Sequence, residues 1–170
     1  LPQLERHWRA SDGTFPLSVR AVETARLALV ANTPSAGILD DATTAAAQFL
    51  FHEQNDARQA LDTLLQPAMQ RLRALAAHPG VNFLLVAADC AERLGDTGLL
   101  NQVLDECTDL KGDAFTTGAV LLRQGNRHSI LGNQPAALAA FTEAASLFQK
   151  AGALRERAIL LGKIADIHYA

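Results

Sequence analysis

The stretch GNQPAALAAFTEAASLF, Gly132 to Phe148, is rich in alanine. So many small residues either fill an ordinary helix or form the tight seam of a repeated module. Ala137, Phe141 and Ala144 are spaced four then three, which places them on one helical face. The same spacing recurs upstream at Leu100, Leu104 and Cys107, and again at Ala60, Leu64 and Pro67. The segment preceding each of these repeats as well: Leu121, Gly125 and His128 correspond to Leu161, Ala165 and His168, 40 residues on, and to Leu84, Ala88 and Ala91, 37 residues back. Thr44, Gln48 and Phe51 form a weaker copy 40 residues earlier still. Turn pairs Asn55-Asp56, Gly95-Asp96 and Gly132-Asn133 follow the successive triplets. Self-similarity at a fixed period is the sequence signature of a repeat architecture.

Helix breakers divide the rest of the chain: SDGTFP at 11–16, NTPSAG at 32–37, QND at 54–56, HPG at 78–80, GDTG at 95–98, KGD at 111–113 and AGA at 151–153. Between them apolar residues recur three and four apart and never alternate for long, as a helix requires and a strand does not. About nine helices joined by short turns are expected. Asp40, Asp56, Asp96 and Asp113 stand where N-caps would be, and Pro16 and Pro135 suit a first helical turn. Pro67 lies inside LDTLLQPAMQRLRAL, so a kink or a split into two helices is predicted there. Residues 40–78, 81–111 and 114–151 read as three helical hairpins, 153–170 as a terminal helix that is either unpaired or caps the stack, and 1–35, with His7 and Trp8, as a degenerate hairpin.

These residues resemble the tetratricopeptide repeat family of stacked antiparallel helix pairs. In the best unit, Gly118 to Ala151, Gly125, Gly132, Ala137, Phe141, Ala144 and Ala145 stand where that family places its small and aromatic signature. His128 occupies a position where an aromatic is usual, and the preceding unit has Leu100 and Cys107 in place of small residues. Periods of 37 to 40 exceed the family's common repeat of about 34 and resemble the longer variants of bacterial regulatory proteins. The resemblance implies an all-α, right-handed superhelix, an α-solenoid in which each hairpin buries its apolar face against the next. It also implies a concave inner face lined by the first helix of each pair. That face comprises Phe49, His52 and Glu53; then Asn82, Asp89, Glu92 and Arg93; then Asn126 and Ser129; and last Asp166 and Tyr169. Such a mixture of charge, amide and aromatic groups on rigid helices suits an extended or helical peptide. Arg93 is the one positive charge on the inner face as the sequence maps it, and Leu122, one turn before Asn126, replaces the cation that a carboxylate clamp would need.

Composition narrows the function classes. At 170 residues the chain can bury a sizeable core without disulfides or metal. Its 15 basic and 18 acidic residues nearly cancel without forming blocks, which argues against nucleic-acid binding. No apolar run approaches the roughly 18 to 20 residues that span a bilayer, and no signal peptide opens the chain, so a cytoplasmic protein is expected. The chain begins at Leu1 without a methionine and stops at Ala170 within a helical pattern, so a piece of a longer polypeptide is expected.

Sites of chemistry are scarce. Phosphate-cradling, dinucleotide, zinc-protease and nucleophile-elbow motifs are all missing, so no catalytic residue and no cofactor is expected. Cys90 and Cys107 read as buried small hydrophobes. His128 and His168 share a repeat position, but two histidines without a third ligand make a poor zinc site, and they read as replacements for a bulky core residue. Asp40-Asp41 reads as a helix start. The leading expectation is a non-enzymatic protein-interaction scaffold that binds another protein or another domain of its own chain. A regulatory arm of a signalling ATPase or transcription regulator is the second, from the likeness of LERHWRASDGTFPLSVRAVETARLAL to the helices that follow the catalytic domains in such proteins. A small-molecule-binding helical domain is the third.

Overall fold

The computed structural model describes residues 17–32, 35–108, 110 and 112–169, and all regular structure among them is helical. Among the described residues eight helices follow one another, where about nine were expected for the whole chain. They are α1 (Leu17–Val30), α2 (Ala36–His52), α3 (57–74), α4 (Val81–Leu94), α5 (Thr97–Thr108), α6 (Ala114–Ile130), α7 (Gln134–Lys150) and α8 (Leu154–Tyr169). SDGTFP, Pro16, His7 and Trp8 lie outside the described residues, and of the hairpin expected in 1–35 one helix, α1, is described. The chain divides into two compact units at Thr97/Gly98.

Local chemistry explains the helix ends. Asp56 accepts the Gln59 N–H at 2.8 Å, Asp113 the Thr116 N–H at 2.7 Å and Asn133 the Ala136 N–H at 3.2 Å, each satisfying a first-turn amide that has no partner within its helix. Pro135 falls in the first turn of α7, as expected. Gly95, Gly132 and Gly152 take left-handed conformations with φ of 71°, 73° and 72° at the ends of α4, α6 and α7. The amide after each glycine bonds back five residues: Asp96 to Ala91, Asn133 to His128 and Ala153 to Phe148. Asp40 is not a helix start. Ser35 precedes the first turn of α2 and Asp40 lies within the helix, its carboxylate turned to a neighbouring loop.

Pro67 does not split its helix. Ala57–Gln59 begins α3, Ala60–Leu65 widens into a π-helical turn, and Gln66–Ala74 completes it with the proline in its first turn. The Gln66 N–H reaches the Leu61 carbonyl five residues back. Absorbing an extra residue just before the proline removes the crowding that a regular turn would impose.

In the first unit α1 packs on α2, and α2 packs on α3 and α4. Its centre holds Leu39, Leu64, Leu65, Leu72, Phe83 and Leu84 among fully buried alanines. Ala21, Ala25 and Ala28 line α1 with the four-then-three spacing already seen in α7. Three polar contacts join elements about one period apart. The Gly80 N–H, just before α4, donates to Asp40 near the start of α2 at 2.6 Å, 40 residues away. Arg93, at the end of α4, donates to Asn55, just beyond α2, also at 2.6 Å and 38 residues away. The Arg71 guanidinium, near the end of α3, donates to the Ala31 carbonyl beyond α1, 40 residues away. Start meets start and end meets end, so α2 and α4 run side by side in the same direction.

In the second unit α7 packs on both α6 and α8. Ala137, Phe141, Ala144 and Phe148 are all buried. Phe141 lies against Gly125 of α6, and Phe148 against Gly118 one helical stretch earlier. The Lys163 ammonium of α8 sits 5.7 Å from the Phe141 ring centroid, so this ring bridges both neighbours of α7. The triplets Leu100, Leu104, Cys107 and Ala60, Leu64 are buried too, whereas Pro67 is half-buried. The weakest copy fails at Gln48, which is exposed while Ala47 beside it is fully buried.

The seam gives a paired test. A Cβ on Gly125 would lie 2.3 Å from Phe141 Cε1, whereas a Cβ on Gly162 of α8 would meet nothing within 4 Å. Gly125→Ala is expected to destabilise by roughly 1 to 3 kcal/mol through overpacking. Gly162→Ala should stabilise by up to about 1 kcal/mol through helix propensity. Urea melts of the two variants measure both signs.

Candidate functional site

The residues assigned to an inner face divide between the two units. Phe49, His52, Glu53, Asn82, Asp89, Glu92 and Arg93 belong to the first; Asn126, Ser129, Asp166 and Tyr169 to the second. His52 and Glu53 emerge exposed at the end of α2, and Asn82 is exposed in the first turn of α4. Phe49, Asp89 and Glu92 are half-buried, as are Asn126 and Ser129 on α6. Asp166 is exposed on α8, and Tyr169 is 92% exposed.

Within the first unit the structure assembles one compact cluster from these positions. The Arg93 guanidinium lies 5.0 Å from the centroid of Phe51 while donating to Asn55. The His52 ring stands edge-on to Phe51 at 4.9 Å. Arg93 is therefore not a free groove cation but a side chain anchored on an aromatic face and an amide. Phe51 and Asn55 were not among the expected site residues. Asn55 carried a signal: it ends a helix at φ 53°, a left-handed conformation that asparagine tolerates better than most residues.

Electrostatics elsewhere are mild. Burial raises the Asp40 carboxyl above its ordinary range, assisted by the Asp41 charge and opposed by the Gly80 and Thr44 hydrogen bonds. The Asp113 carboxyl shifts the other way because the Thr116 N–H donates to it. Cys90 and Cys107 are both free and buried, as expected, and burial pushes their thiols up to about 12 and about 11. Such thiols carry almost no thiolate at neutral pH. Buried Thr24 and Thr43 hydroxyls and the Nε atoms of Arg20 and Arg71 have no hydrogen-bond partner.

Of the two paired histidines, His128 is half-buried and His168 is exposed, so His168 does not replace a core residue. Among the described residues, no group of three or more His, Cys, Asp or Glu side chains could hold a metal ion. No described helix is long and apolar enough to cross a membrane. The fold thus defines an all-α protein. Compared with protein families, curated proteins and solved structures, the chain matches none.

Two measurements follow from this geometry. Arg93→Ala removes the contacts to Phe51 and Asn55 together, and should lower stability by about 1 kcal/mol in chemical denaturation, given the modest worth of exposed cation–π and amide contacts. Any substitution of Arg93 therefore reports on folding as well as on binding. For Asp40 the sign is set by a folded-state pKa above the unfolded one. The half-buried carboxylate then costs stability as pH rises through the folded value and costs nothing when protonated. Asp40→Asn retains an acceptor for Gly80 without the charge. Its stability relative to the parent should rise from about pH 3 to about pH 7 in urea titrations; a flat difference would show that burial of the charge is not the dominant cost.

Proposed function

We propose that the chain is a non-enzymatic protein-interaction scaffold of the tetratricopeptide type, a right-handed superhelix of stacked hairpins acting in the cytoplasm. Its partner is a peptide segment of another protein or of another domain of the same polypeptide. The observation that carries this reading is the tie between α2 and α4. Asp40 to Gly80 and Asn55 to Arg93 align two helices of the same direction at separations of 40 and 38 residues, close to the sequence period. Parallel first helices at one repeat spacing are what stacked hairpins produce, and they form a ridged surface on which a peptide can lie across successive helices. His52, Glu53 and Asn82 project from these two helices into solvent, where their backbone is held rigid by the buried side. The glycine seam of α6 on α7 supports the same reading in the second unit, because close backbone approach is the function of the family's small residues.

Peptides selected by phage display against the 170-residue chain provide the test. The double variant Glu53→Lys/Asn82→Lys should weaken the selected peptide about tenfold or more, equivalent to about 1.4 kcal/mol. Glu143→Lys, on the exposed side of α7, should leave binding unchanged. A metabolite that raises the melting temperature while no peptide is enriched would overturn the scaffold reading in favour of a small-molecule binder.

A further inference from the structure

Helix α8 contacts α7 with one side and leaves the other open. Leu160 is fully buried and Lys163 faces Phe141, so the packed side is defined. At about 100° per residue, Leu154, Ala158, Leu161, Gly162, Ala165 and Tyr169 form a stripe well away from that side. Ala158, Leu161 and Gly162 are exposed and Ala165 half-buried; Leu154 is 71% exposed and Tyr169 92%. A stripe this apolar on a helix end of a folded unit marks an interaction surface.

What fits it is shown by α6. Forty residues earlier, Gly118, Leu121 and Gly125 occupy the register of Ala158, Leu161 and Ala165. In α6 that side is covered: Gly118 and Gly125 are buried, Phe148 and Phe141 of α7 lying over them. Val120 and its counterpart Leu160 are both buried, so the register relating the two helices holds on the opposite side as well. The open stripe of α8 therefore corresponds to the α7-binding side of α6. Of the six stripe positions Leu161 alone is unchanged, and the differences that bear most on fit are Ala158 and Ala165 in place of Gly118 and Gly125. Gly125 admits the Phe141 ring because it has no Cβ, and a Cβ there would stand 2.3 Å from the ring; α8 has Ala165 in that place.

We infer that the exposed stripe of α8 is an acceptor for an amphipathic helix of the α7 type, with small residues spaced as in α7 and an aliphatic side chain no larger than leucine where α7 carries Phe141. The occupant docks antiparallel to α8, as α7 docks on α6, and Leu161 inserts between its small residues.

Fluorescence anisotropy with labelled peptides tests this directly. One probe is the 134–150 sequence carrying F141L and F148L; the second keeps Phe141 and carries F148L alone. The first should bind the 170-residue chain, and the second at least about tenfold more weakly. Ala165→Gly should reverse the preference by admitting the ring. Leu161→Glu should weaken the leucine probe at least about tenfold, while Ile159→Glu, exposed but off the stripe, should not; circular dichroism melts confirm that each variant folds. The inference is overturned if neither probe binds, or if Ala165→Gly leaves the preference unchanged. It is also overturned if sedimentation shows a dimer of the chain that Leu161→Glu dissociates, since a second copy would then be the occupant.

Discussion

Close approach of helix backbones is the constraint on which the rest of this structure depends. A helix pair can narrow its spacing only where side chains vanish, and the second unit does this at Gly118 and Gly125, with the rings of Phe148 and Phe141 filling the space created. The first unit uses alanine for the same purpose, with Ala21, Ala25 and Ala28 on α1 and Ala42, Ala46 and Ala47 on α2 almost entirely removed from solvent. Packing at interior density leaves little tolerance for an added methyl group. The abundance of alanine is thus a property of the interfaces as much as of helix propensity. It also accounts for a core with few aromatic residues: where backbones lie close, two or three rings suffice.

Tight pairs need ends that turn sharply and in register. Left-handed glycines close α4, α6 and α7, and Asn55 does so for α2 at somewhat greater conformational cost. In the first unit polar contacts then join Asp40 to Gly80, Asn55 to Arg93 and Ala31 to Arg71, each about one period apart. Asp40 is instructive because it combines a hydrogen bond that favours its charge with burial that opposes it. The Gly80 amide it holds belongs to the start of α4, so the cost of the half-buried carboxylate is offset by positioning a helix terminus. That exchange places α4 along α2 rather than across it.

The helical content, the turns and the buried triplets on α5 and α7 were legible in the sequence because period and punctuation are local properties. What escaped were outcomes decided by neighbours. Pro67 suggested a kink or two shorter helices; the helix is not split, because the π-helical turn before the ring accommodates it, an adjustment no periodicity encodes. Asp40 resembled a cap because it precedes an alanine run, yet Ser35 and Ala36 start the helix earlier and free Asp40 for a contact 40 residues away. Arg93 looked like a solvent-facing cation; its partners Phe51 and Asn55 are visible only once α2 lies alongside. The assigned inner face was therefore legible as a set of exposed or half-buried positions, and not as a set of interactions.

In α7 opposite sides of one helix serve two neighbours, and Phe141 belongs to both through Gly125 and Lys163. A helix used on two sides must be apolar or small nearly all round, which fits the composition of Gln134–Lys150. Helix α8 has the same two-sided character in its sequence, with Leu160 on one side and Leu154, Leu161 and Tyr169 on the other, but only the first side is covered. Its second side is built like an interior surface and exposed like an exterior one. An exposed helix serving only solubility would carry charge there; Arg155 and Asp166 lie at the margin instead and leave the centre to Ala158, Leu161 and Ala165. The physical distinction between core and binding surface in this fold is thus one of occupancy, because both are specified by the same spacing of small and large residues.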